Sequence, residues 1–134
     1  MKTTRYSKQR EAILIELQNR TDHPTADQVY STLKVTHPEL SLGTVYRNLN
    51  FLAQQGDILK LDVGDGTCHY DGNTHNHIHY MCKYCHKIID IEFTSTLEQQ
   101  IYQDIDYDID QIQLILSGTC PECKKNESNL KCNL

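Results

Sequence analysis

No apolar run in these 134 residues is long enough to cross a membrane. The longest, such as Ala12-Ile13-Leu14-Ile15, extend only a few residues, whereas a bilayer-spanning helix needs about 20. The basic start, Met1-Lys2-Thr3-Thr4-Arg5, has no apolar stretch before Ser7, so a cytoplasmic chain is expected and a secretory signal is not. There is no Gly-rich phosphate loop and no nucleophile motif, which argues against an enzyme. Positive charge is also in short supply, with 13 Lys and Arg against 18 Asp and Glu and a net charge of −5. What remains is 38% hydrophobic and 23% charged, the composition of a soluble globular protein. The length suits one ordinary domain or two small ones with thin cores. Six cysteines in a cytoplasmic chain point to metal binding or redox chemistry before structural disulfides.

The charge is unevenly spread. Residues 1–63 hold eight Lys and Arg against seven Asp and Glu, a balance of +1, while residues 64–134 hold five against eleven, a balance of −6. All four arginines lie in the first part, and all six cysteines with five of the seven histidines lie in the second. Two domains are expected, 1–72 and 73–134.

Three helical patterns occupy the first part. Ile13, Leu14 and Leu17 mark one, with Ser7 as its expected cap. A capping-box pattern, Thr25-Ala26-Asp27-Gln28, opens the second, whose apolar face is Ala26, Val29, Tyr30 and Leu33. Ser41 is placed to cap the third, which buries Leu42, Val45, Leu49 and Leu52 and ends at Gly56. Thr44 and Arg47 point away from that stripe and Tyr46 lies on its flank. Residues Ile58 to Asp62 then read as a strand, Gly64-Asp65-Gly66 as a turn, and Thr67 to Tyr70 as the returning strand. Three short helices and a hairpin describe a winged helix-turn-helix, with the third helix in the DNA major groove. The expected DNA contacts are Arg5, Ser41, Thr44, Tyr46 and Arg47, with Lys8, Arg10 and Lys60 as further charge if they share a face. The plain alternative is a small helical domain whose Tyr46 and Arg47 merely face solvent, and a balance of +1 does not argue against it.

The second part opens on His75-Asn76-His77-Ile78-His79. In a strand His77 and His79 project from one face, about 6–7 Å apart at the backbone, a workable bite for a metal. The next strand, Ile88 to Phe93, sets Ile89, Ile91 and Phe93 against Asp90 and Glu92, so a carboxylate can face the histidines. A helix from Thr94 to about Gln103 and a final strand from Ile109 to Leu116 complete an α+β sheet domain with one helix.

Two knuckles, Cys82-x-x-Cys85 and Cys120-x-x-Cys123, each offer two thiolates. Zinc takes four sulfurs in a tetrahedron, so the pair completes one structural site. The 34 intervening residues make that site a clamp on a whole strand-helix-strand unit, a staple for a domain too small to be secure alone. The rival is a thiol–disulfide switch, since a CxxC pair lowers one thiol pKa and can close an internal bridge. Cys68 and Cys132 fall outside the scheme as buried or tail thiols.

The motifs His23-Pro24-Thr25-Ala26, Ser41-x-x-Thr44-Val45-Tyr46-Arg47-Asn48-Leu49, His77-x-His79-x-x-Cys82-x-x-Cys85 and Cys120-Pro121-Glu122-Cys123 occur in this order. Their succession resembles the ferric uptake regulator family, metal-responsive bacterial transcription factors, over nearly all of Arg5 to Cys123. The resemblance implies a homodimer with an N-terminal winged helix, a C-terminal α/β dimerisation domain stapled by zinc, and a double-stranded DNA operator as partner. It also implies a second, regulatory metal site of His23, Asp71, His77, His79 and Asp90. Taken singly, His23 is a loop histidine, Asp71 a turn residue and Asp90 a strand carboxylate. Together they are a mixed N/O set suited to divalent iron, manganese or zinc; Fe(2+) or Mn(2+) is expected as the regulatory ion. An ion held by residues from both domains would fix their relative orientation, and so the spacing of the two reading heads in a dimer.

Aspartate at position 90 resembles the peroxide-stress repressors of the family, where uptake regulators carry glutamate. That resemblance implies hydrogen peroxide sensing by iron-catalysed oxidation of a ligand histidine, here His23 or His77, with release of DNA. An iron- or zinc-uptake repressor with a reversible metal response is the nearest alternative. A metallohydrolase using His77, His79 and Asp90 with Glu92 as base is a more distant one, and a zinc-bearing redox switch is the third. Two departures stand against the resemblance. The additional N-terminal helix common in the family has no counterpart before Arg5, and no downstream histidine for a further metal lies in Ile109 to Leu116. Two metals per chain are therefore expected.

Overall fold

A computed structural model describes residues 5–131, with side chains for residues 8–126. The chain divides into two compact units, 1–74 and 75–134. The division follows Thr74, where the sequence placed it after Gly72.

In the first unit, helices α1 (Arg5–Gln18), α2 (Ala26–Leu33) and α3 (Leu42–Gln55) precede strands β1 (Leu59–Asp62) and β2 (Cys68–Asp71). Ser7 lies inside α1, two residues past its start. A serine caps only where the chain before it leaves the helix, and Arg5-Tyr6 continue it. Thr25 caps α2 with the full capping box: its hydroxyl accepts from the Gln28 N–H, and the Gln28 side chain accepts from the Thr25 N–H. Ser41 caps α3 through the Thr44 N–H, and Gly56 ends it at φ 82°, the left-handed conformation that glycine adopts without penalty. The apolar faces meet in one core of Ile13, Leu17, Ala26, Val29, Leu33, Leu40, Val45, Leu49, Leu52, Ile58 and Tyr70. β1 and β2 pair antiparallel, with Lys60 opposite Tyr70 and Leu61 opposite His69. Beyond β2 the chain passes so close to α1 that a Cβ on Gly72 would lie 2.7 Å from the Leu17 carbonyl oxygen. Only glycine fits there.

The second unit contains β3 (His77–Cys82), β4 (Ile88–Glu92), α4 (Ser95–Asp104), β5 (Leu114–Gly118) and α5 (Pro121–Lys131). The sheet order is β4-β3-β5, with β4 antiparallel and β5 parallel to the central strand. The final strand begins at Leu114, not Ile109. Its ladder starts with Ile78 opposite Leu114 near the beginning of β3, so earlier residues have no strand to pair with. A second helix, α5, corrects the expectation of one. Its apolar periodicity is faint, yet Pro121 at the first position and Glu122 in the first turn are ordinary helix-start signals. The result is α+β, a winged helix-turn-helix followed by a small α/β unit. No helix among the described residues is long and apolar enough to cross a membrane.

Candidate functional site

Four sulfurs converge in the second unit. Cys82 ends β3, Cys85 lies in the turn after it, Cys120 immediately precedes α5 and Cys123 lies in its first turn. The four Sγ atoms all lie within 4.8 Å of one another. Cys85 and Cys120 are 3.8 Å apart, which is the edge of a tetrahedron built on zinc–sulfur bonds of about 2.3 Å. A disulfide would need about 2.05 Å, and Cys68, Cys82, Cys85, Cys120 and Cys123 are all free thiols. The Cys120 backbone N–H donates to Cys82 Sγ at 3.4 Å. With further backbone donors at Cys85 and Tyr84, it draws the Cys82 thiol down to about 6. Cys123 is pushed up to about 12, chiefly by its contact with Cys120. Backbone dipoles thus favour one thiolate, while each additional negative sulfur is opposed by its neighbours. Four thiolates at this spacing require a cation.

The opposite end of β3 presents a different donor set. His77 and His79 share one face of the sheet with Asp90 and Glu92, because His77 pairs with Glu92 and His79 with Asp90. Their rings lie 4.2 Å apart at the centroids, and both Nε2 atoms approach the same oxygen, Asp90 Oδ1, at 3.2 Å from His77 and 3.5 Å from His79. His77 Nδ1 donates to the His75 carbonyl, since a carbonyl only accepts. That bond directs the Nε2 lone pair of a neutral ring at the carboxylate, an arrangement that calls for a cation or a proton between them. Both rings are buried.

A second pair lies in the first unit. His23 Nε2 is 3.4 Å from Asp71 Oδ2, and both side chains are buried. Asp71 Oδ1 accepts from the Asn73 N–H at 2.9 Å, so its other oxygen serves His23. His23 has φ 53°, a left-handed conformation that a side-chain-bearing residue holds only when its surroundings enforce it. Imidazole and carboxylate are borderline-to-hard N/O donors, which suit iron or manganese better than an all-sulfur cluster does. Among the described residues there is no further cluster of metal-ligand side chains.

On α3, Arg47 and Tyr46 are exposed and Thr44 half-buried. Ser41 Oγ and Thr44 Oγ1 lie 2.8 Å apart, and Arg47 Nη2 donates to Thr44 Oγ1 at 3.1 Å. These groups form one polar strip at the start of the helix. The Arg5 side chain and Cys132 lie outside the described residues. Arg10 is already engaged, stacked 3.8 Å from the Phe51 ring centroid and donating to Asn48 Oδ1 at 3.1 Å. Lys60 donates to Asn50 at 3.2 Å, and Lys8 is exposed. Asn48, overlooked in the sequence because it interrupts an apolar stripe, is buried and also donates to the Thr44 carbonyl.

Residues 1–117 match the ferric uptake regulator family. The chain belongs to that family. Among its relatives, the peroxide-responsive repressor PerR of Staphylococcus epidermidis is 37% identical over 123 residues, covering 90% of this chain and 82% of that protein. The crystal structure of the Campylobacter jejuni peroxide stress regulator superposes with a TM-score of 0.79 at 28% identity, over 90% of this chain and 93% of the other. The ferric uptake regulator of Francisella tularensis, solved with iron, gives 0.70 at 27% identity over 92% and 95%. These names belong to regulators and not to catalysts, which leaves the metallohydrolase reading without support.

Proposed function

We propose that this chain is a metal-dependent, DNA-binding transcriptional repressor of the cytoplasm that senses hydrogen peroxide. Cys82, Cys85, Cys120 and Cys123 hold structural zinc in this reading, while the His23–Asp71 pair and the His77–His79–Asp90 triad ligate one regulatory ion, ferrous or manganous. The observation that carries it is the convergence of His77 Nε2 and His79 Nε2 on one oxygen of Asp90, with His77 Nδ1 engaged by the His75 carbonyl. A cation between them would complement the carboxylate and both ring nitrogens at once. Because two of the proposed ligands belong to the first unit and three to the second, binding a single ion would tie residues 1–74 to residues 75–134 and set how the winged helix is presented to DNA.

Bound ferrous iron would supply the one-electron chemistry that converts peroxide to an oxidant beside the imidazoles. His23 and His77 are the rings proposed to take up oxygen. Their loss as ligands undoes the tie between the units and releases the operator. The polar strip of Ser41, Thr44 and Arg47, with Tyr46 and Arg5, is proposed to face the DNA. A homodimer is supported by the apolar face of the sheet: Ile89, Ile91, Leu114 and Leu116 share a side by register, and Ile91 and Leu116 are 41% and 42% exposed.

The test is operator binding by the zinc-loaded protein with and without manganese. Binding that tightens with manganese, and that His77→Ala abolishes, is expected. Equal binding in the presence and absence of the ion would refute metal control. A reversible uptake regulator would keep its DNA after the iron form meets peroxide, which separates that alternative.

A further inference from the structure

His69 is not among the candidate ligands, yet its ring is held at both nitrogens. It lies on β2, two residues before Asp71. Nδ1 is 2.8 Å from the backbone carbonyl oxygen of His23, and Nε2 is 2.6 Å from Asp65 Oδ2 in the wing turn. A carbonyl oxygen only accepts, so Nδ1–H donates to it. The next carbonyl along, that of Pro24, accepts from the Tyr70 N–H at 2.9 Å. Two successive carbonyls of the loop before α2 are thus fastened to two successive residues of β2.

His23 is a residue that needs such fastening. Its φ of 53° is one that a residue with a Cβ keeps only under constraint, and its side chain must meet Asp71 across the gap to β2. Asp65 steadies the far side of the His69 ring and is itself fixed by the Thr67 N–H, which donates to Oδ1 at 3.1 Å. The ring in return holds the Asp65 carboxyl below the usual carboxylate range.

We propose that His69 is a positioning residue for the regulatory metal: it holds the His23 backbone in its ligating conformation from the wing strand, with Asp65 as its anchor. The proposal rests on the reading of His23 as a ligand. By reciprocity, whatever stabilises the wing turn at Asp65 favours metal binding, and metal binding favours that form of the wing turn.

Two substitutions separate the two bonds of the ring. His69→Asn sets an amide nitrogen where Nδ1 stands and keeps the donor to His23. His69→Gln sets it near Nε2, keeping Asp65 and losing His23. Zinc-loaded, full-length protein is titrated with cobalt(II) and followed by its visible absorption. Loss of an outer partner of a ligand weakens metal binding by about 10–100-fold, so His69→Gln is expected to fall in that range. His69→Asn is expected to bind cobalt clearly more tightly than His69→Gln, with one zinc retained in both. Equal losses in the two variants, or none in His69→Gln alongside a large loss in His23→Ala, would overturn the positioning role. Unchanged cobalt binding in His23→Ala would overturn the ligand reading and the proposal with it. A readout needing neither variant nor regulatory metal is nitrogen-15 NMR of the zinc-only protein. A slowly exchanging His69 Nδ1–H coupled to the His23 carbonyl is expected, and its absence overturns the proposal.

Discussion

Asn48 carries more of the first unit than its polarity suggests. Its amide donates to the Thr44 carbonyl within α3 and accepts from Arg10 Nε on α1, at 3.0 and 3.1 Å. It is 2% exposed, so removing it empties a core position and takes a bond from the half-buried Arg10 guanidinium. Asn48→Ala is expected to destabilise the protein by about 1–3 kcal/mol, through the lost hydrogen bond to a charged group and the space left in the core, measured by urea unfolding. The freed Arg10 would also leave the Phe51 ring on which it stacks. Nothing in a one-dimensional pattern identifies such a residue, because Asn48 sits at a core position of the helix while its partner lies 38 residues away. The histidines His77 and His79 are the opposite case. Alternation about Ile78 places them on one face, and the pairing of β3 with β4 brings Asp90 to them. His23 and Asp71 were visible only through family resemblance, since their meeting depends on how β2 returns along the α1–α2 loop.

At the scale of elements, local chemistry set most boundaries. Thr25 with Gln28, Ser41 and Gly56 each stop or start a helix through bonds within a few residues, so the sequence alone reveals them. The start of β5 depends instead on where β3 begins, and α5 lacks the apolar face that makes a helix legible. Both errors fall in the second unit, where buried apolar side chains are few. There the cysteine cluster, once zinc-loaded, is proposed to take over the work of a core. It brings together the end of β3 and the start of α5. Cys82→Ser, or zinc removal with a strong chelator under reducing conditions, is therefore expected to abolish cooperative unfolding of residues 75–131. The first unit, with its own continuous core, keeps its helical signal. Circular dichroism with zinc analysis checks this, and a second unit that still melts cooperatively without zinc would contradict it.

As a whole molecule, the proposed repressor needs a partner and a switch. The apolar side of the second sheet leaves Ile91 and Leu116 in solvent, and α4 has no buried residue. Ile91→Lys is expected to shift sedimentation of the zinc-loaded protein from dimer to monomer while leaving zinc bound. The proposed switch is the regulatory ion, and its consequences can be read in mass. Iron(II)-loaded protein, prepared without oxygen and treated with hydrogen peroxide, is digested and its histidine peptides weighed, with manganese-loaded protein as control. A gain of one oxygen atom on the His23 or His77 peptide, only in the iron form and in step with loss of operator binding, is the expected result. Peroxide that releases the operator while both peptides keep their mass would contradict the account.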